Sequence, residues 1–88
     1  MRITSIEIYS HATNAAVMRH PDRKFPGVLI QGDTLHALWK TVEAVSVAAS
    51  GRLDEDDAFE VQSVAAQLGA YVTHYKQVLD QHGIEPPF

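Results

Sequence analysis

Histidines and carboxylates are the residues in this 88-residue chain that could do chemistry. The five histidines, His11, His20, His36, His74 and His82, show no HxH, HxxxH or HExxH spacing that would set two imidazoles on one face. His20 and Asp22 are close enough to share a loop site, but a third ligand would have to come from elsewhere. The histidines therefore read as incidental surface or partly buried residues, and no metal is expected. Cysteine is absent, which removes a thiolate metal site, a disulfide framework and a Cys–His pair together. Serine, histidine and aspartate are all present, but no GxSxG elbow sets a serine at a strand-to-helix turn. Neither a Walker A run nor GxGxxG is there to hold phosphates. Trp39 with Tyr71 or Tyr75 could stack a ligand, although aromatics at helical spacing more often fill a core. No catalytic residue and no cofactor is assigned, and the chain reads more readily as a binding protein than as an enzyme.

The carboxylates carry more information. Asp54, Glu55, Asp56 and Asp57, with Glu60 one turn on, superficially look like a calcium loop, but Phe59 stands where the EF-hand pattern requires glycine. As general acids or bases they would need burial or coupling, which the start of a helix does not provide. They read first as the cap and first turn of a helix, and then as an exposed acidic patch for a basic partner. The wider charge distribution supports the second use. Residues 1–53 hold six basic against four acidic residues, leaving +2, whereas residues 54–88 hold only Lys76 against seven acidic residues, leaving −6. Such an acidic part disfavours nucleic acid and suits a basic protein. The one tight basic cluster is Arg23 and Lys24, with Arg19 just before them, in a loop bounded by Pro21 and Pro26. It reads as a solvated turn or as a contact loop.

These residues are positioned by five elements. Arg2–Tyr9 reads as a strand, rich in β-branched residues. A second short strand spans 15–19, where a helix over 12–19 is the competing reading. A third spans 28–31, and its continuous Val-Leu-Ile run suggests a strand buried on both faces or central in the sheet. Asp33 or Thr34 caps a first helix over 34–50, whose apolar residues recur at Leu35, Leu38, Val42, Val45 and Ala49 with Trp39 beside them. Gly51 ends it. The second helix spans 55–82 from Asp54 as cap. Its stripe is Val61, Ala65, Leu68, Val72, Tyr75 and Leu79, and Val64, Tyr71 and Val78 widen the apolar face. Gly83 closes the helix and Pro86-Pro87 prevent its return. The expected fold is α+β in the order βββαα: a small three-stranded antiparallel sheet followed by an antiparallel two-helix hairpin, in a single domain over 1–88. The second helix looks too apolar for one sheet and one helix, so a homodimer is an expectation as well.

The segment from Phe25 to Leu35 is the most specific in the chain. Phe25-Pro26-Gly27, three strand positions, then Gln31-Gly32-Asp33-Thr34-Leu35 running into a helix resembles the HicB-type antitoxin domain. The resemblance covers about residues 15–50. It implies a small α+β scaffold of the kind used to bind and neutralise a toxin protein. A HicB-type domain would return to a strand after the first helix, whereas residues 54–82 read as helix. The chain is also similar to a group of small uncharacterised bacterial proteins that share the Phe-Pro-Gly and Gln-Gly-Asp segments. The combined expectation is a protein-binding module, antitoxin- or immunity-like, that masks a basic partner. The contact residues expected are Asp54, Glu55, Asp56, Asp57, Glu60, Arg23 and Lys24. A small-molecule or metal-binding protein, or an enzyme, using the His20–Lys24 loop is the alternative, and a structural homodimer is a third. The start, with polar residues among its apolar ones, lacks the apolar core of a signal peptide. No apolar run approaches the roughly 20 residues that span a bilayer, so the expected setting is the cytoplasm, with no membrane partner.

Overall fold

A computed structural model describes residues 1–88 and shows three strands followed by two helices. The strands are β1 (Glu7–Ser10), β2 (Ala16–Arg19) and β3 (Gly27–Leu29), and the helices are α1 (Gly32–Ala48) and α2 (Glu55–Gln81). The α+β order expected from the sequence is the order observed. The chain forms two compact units, Met1–Gln31 and Gly32–Phe88.

The sheet unit is an antiparallel meander in the order β1-β2-β3. β2 is therefore the central strand, and β3 is an edge strand with Val28 and Leu29 more than half exposed. The apolar run at 28–30 does not mark the sheet's centre as its composition suggests. A run of three residues is too short to fix burial on both faces, and short connections simply place consecutive strands side by side. β1 starts at Glu7 rather than near Arg2. Glu7 pairs with Arg19, so residues before Glu7 would have to pair with His20 and Pro21, and proline has no N–H to give. Ile8 pairs with Met18 and Ser10 with Val17, which leaves Tyr9 as the extra residue of a β-bulge. On the other side of β2, Val17 pairs with Val28 and Met18 with Gly27.

In the second unit, α1 begins at Gly32, two residues before the expected start, with Asp33 in its first turn. Asp33 accepts a hydrogen bond from the Thr34 N–H at 2.8 Å. Gly51 (φ +80°) turns the chain between the helices, using the left-handed region that glycine enters freely. Asp54 caps α2 by accepting from the Asp57 N–H at 2.8 Å. At the far end Gly83 (φ +66°) donates to Asp80 and Ile84 donates to Leu79, the paired bonds of a Schellman motif.

The α2 stripe is buried as its spacing implies, with Val61, Ala65, Leu68, Tyr75 and Leu79 half-buried and Val72 only 3 % exposed. α1 is turned relative to its expected stripe. Leu35, Val42 and Ala49 are half-buried as expected, joined by Trp39 and Ser46, while Leu38 (46 %) and Val45 (54 %) stay largely exposed. Gly69 is the cause. A Cβ there would lie 2.9 Å from Trp39 Nε1, so its absence admits the indole and sets the rotation of α1. A second close approach sits where α1 starts, because a Cβ on buried Gly32 would overlap the Tyr75 ring. Val72 is the single buried apolar side chain in the molecule.

Candidate functional site

The acidic candidates are brought together by α2. Asp54 stands at its cap, Glu55, Asp56 and Asp57 fill its first turn, and Glu60 follows one turn later. All five are exposed. Asp54 is already committed to the Asp57 N–H, so its role in the helix is structural. No ion pair involves any of the five carboxylates. The helix start favours negative charge electrostatically, which lets the cluster be held without cationic neighbours. Chemically it is an exposed anionic end, suited to attracting a cationic surface.

Arg23 and Lys24 lie together in the loop between β2 and β3, in the sheet unit. The loop is tied by the Arg23 N–H donating to the His20 carbonyl at 2.9 Å and by the Asp22 N–H donating to His20 Nδ1 at 3.1 Å. Asp22 in turn meets Arg2 at 3.1 Å. Arg19 does not add free charge to this cluster. Its guanidinium is engaged by both carboxylate oxygens of Glu7, at 2.7 and 3.1 Å, and also donates to the Arg23 carbonyl. Tyr9, two residues along β1, donates its hydroxyl to Glu7 at 2.6 Å. The Arg19 hydrogen bonds, then that from Tyr9, hold the Glu7 carboxyl down at about 2 from an ordinary 4.5. Glu7 in return pushes the Arg19 and Tyr9 groups upward. Lys24 instead lies 5.4 Å over the Phe25 ring. That leaves Arg23 and Lys24 as the cations offered to solvent.

Beside this loop, Ile6, Met18, His20, Phe25 and Val28 line a groove of about 280 Å³. The hairpin carries another of about 350 Å³ between Thr41, Val42 and Val45 on α1 and Val61 and Val64 on α2, with Glu60 at its edge. No group of three or more His, Asp or Glu residues is placed to hold a metal ion. His20 Nδ1 and Asp22 are 3.9 Å apart, without a third donor.

One cluster escaped the sequence reading. Phe88 stacks on His36 with ring centroids 3.9 Å apart and planes 9° apart, and Tyr75 lies 6.2 Å from the same Phe88 ring. The chain after Gly83 thus returns to the first turns of α1. Pro86-Pro87 signalled the end of a helix but not the destination of the last residue. Gly69 was a legible signal, since a glycine inside a helix costs about 1 kcal/mol relative to alanine and so marks a close approach.

A family model described as a family of unknown function, DUF6959, matches residues 1–88. The chain belongs to the DUF6959 family. No curated protein and no solved structure matches it. The match bears out an uncharacterised domain and shows no likeness to a HicB-type domain, and residues 25–35 here lead through α1 into a second helix rather than a strand. No helix is long and apolar enough to cross a membrane.

Proposed function

We propose that this DUF6959 chain is a non-enzymatic protein-binding module, antitoxin- or immunity-like in its mode of action, that presents the acidic start of α2 to a basic partner protein. The observation that carries this reading is the unfinished core. One apolar side chain, Val72, is buried, while large apolar residues in both units remain largely exposed, among them Ile8, Phe25, Val28, Val64 and Tyr71. Exposed apolar surface on this scale marks interaction with other macromolecules. The unpaired carboxylates at Glu55, Asp56, Asp57 and Glu60 supply the sign of the partner, and such fields set association rate and specificity more than affinity. Arg23 and Lys24 offer a smaller contact of opposite sign in the sheet unit.

A small-molecule reading ranks second. The sheet-unit groove of about 280 Å³ falls just below the roughly 300–1,000 Å³ of sites that enclose drug-sized ligands, and the hairpin groove of about 350 Å³ falls inside that range but offers only Thr41 and Glu60 as polar lining. Affinity capture with the native chain tests the first reading when run beside the variant Glu55→Lys, Asp56→Lys, Glu60→Lys, which keeps Asp54 as cap. A stoichiometric basic protein held by the native chain and lost with the variant is the expected result. Capture of no partner, or of one indifferent to the reversal, overturns it. Circular dichroism of the variant confirms that α2 is intact.

A further inference from the structure

Four of the five glycines have a reason within the chain. Gly51 and Gly83 hold a positive φ, Gly69 admits the Trp39 indole, and Gly32 admits the Tyr75 ring. Gly27, the first residue of β3, has no such reason. Its φ is not positive, and a Cβ on it would meet nothing within 4 Å. Glycine in a strand forfeits side-chain packing, and where nothing in the chain crowds it, the position suits the close approach of something from outside.

The surroundings of Gly27 fit a side chain supplied from elsewhere. Leu29 is two residues along β3 and so shares its face, and Met18 stands beside Gly27 across the β2–β3 pair. Phe25, Leu29, Met18 and Ile6 line the groove of about 280 Å³ that contains Gly27. One side of this gap is open, because β3 is an edge strand and no further backbone hydrogen bond reaches its outer side. Arg23, which lines the same groove, supplies a charge. Its guanidinium enters no ion pair, while its backbone is fixed by the N–H donating to His20 and the carbonyl accepting from Arg19.

These features select one kind of occupant. An unpaired edge takes a main chain, the gap over Gly27 takes one apolar side chain, and Arg23 takes a carboxylate. A groove too small to enclose a drug-sized molecule still seats one anchor side chain of a longer ligand. We propose that the open edge of β3 receives an extended acidic segment of a partner protein as a fourth strand, with one apolar side chain over Gly27 and a carboxylate at Arg23. β3 is three residues long, and Pro26 before it has no N–H to give. Main-chain bonds are therefore few, and the anchor side chain and the ion pair carry the selectivity. This contact rests on the protein-binding reading above and gives the sheet unit its ligand, but it does not use the acidic start of α2.

A library of random octapeptides displayed on phage and selected on the native chain tests this. Enriched peptides are expected to join an apolar residue to a nearby Asp or Glu. A synthetic peptide of that set should move the amide NMR signals of Arg23 and residues 27–30 in the isotope-labelled chain. Gly27→Leu fills the gap, where its Cβ meets no neighbour, and is expected to weaken that peptide about tenfold or more with the fold intact. Arg23→Glu is expected to turn the selection from acidic towards basic peptides. Enrichment of no sequence overturns the proposal, as does an acidic peptide held equally by Gly27→Leu or one that moves signals only outside residues 23–30. A chain that doubles its mass in light scattering and loses the second copy with Gly27→Leu overturns it too, by giving the edge to a second copy. Enrichment of basic peptides alone, moving the amides of residues 54–60, overturns it while upholding the acidic start of α2, so the two readings fail separately. Far-UV circular dichroism of each variant separates loss of binding from loss of fold.

Discussion

Residues 1–31 and residues 32–88 are held together by different means. In the sheet unit the specific contacts are polar and exposed: Glu7 braces Arg19 across the strands, Tyr9 leans on Glu7, and Asp22 ties Arg2 to the loop. In the hairpin unit they are contacts of shape. Trp39 enters the space over Gly69, Tyr75 lies on Gly32, Phe88 stacks on His36, and Val72 fills the one dry position. Exposed ion pairs contribute little and are screened by salt, whereas close packing is unforgiving of a single added carbon. The hairpin should therefore dominate stability, and the sheet should be the part that answers to pH. Both units share one property: neither covers its own apolar residues.

The largest expected effect is at Val72. Val72→Asp places an unpaired charge at the single buried apolar position and is expected to abolish cooperative unfolding, while Val72→Ala costs about 2 kcal/mol by chemical denaturation. Next comes Gly69→Ala. The new methyl must push the indole aside, at about 1–3 kcal/mol, against a helix-propensity gain of about 1 kcal/mol. Net destabilisation with a red-shifted Trp39 emission is expected. Gly27→Ala in β3, where a Cβ meets nothing within 4 Å, should be nearly neutral, and the contrast is the informative part. Asp54→Ala and Gly83→Ala should each cost about 1 kcal/mol, the first through the lost cap and the second through a left-handed alanine.

The smallest effect belongs to the sheet and is a pH dependence. Glu7 is depressed to about 2 in the folded chain, so its contribution is complete above its ordinary 4.5 and is lost as the pH falls from there towards 2. Hydrogen exchange at the β1–β2 amides should accelerate across that window relative to the intrinsic rate, and Glu7→Gln should remove most of this dependence. High salt should mimic the loss in part.

Much of this architecture was legible in the residues. Asp54 and Gly83 announced both ends of α2, and the 3–4 spacing of Val61, Ala65, Leu68, Val72, Tyr75 and Leu79 announced its buried side. These are local rules, satisfied within one turn or along one helix. What failed was set by neighbours. Leu38 and Val45 lost their places in the seam because a glycine thirty residues after Trp39 made room for a larger side chain. β1 lost its first residues because Pro21 stands where their partner strand would continue. Of the candidate contact residues, the acidic ones lie along one helix end and Arg23 and Lys24 on one loop; the neighbouring Arg19 is paired with Glu7, a cross-strand contact that no spacing rule reveals.

Affinity capture with the native chain beside the variant Glu55→Lys, Asp56→Lys, Glu60→Lys tests most directly the proposal that the acidic start of α2 meets a basic protein. The expected result is a stoichiometric basic partner held by the native chain and lost with the variant, whose helicity is unchanged. Capture of no partner, or of one held equally by the variant, would contradict it.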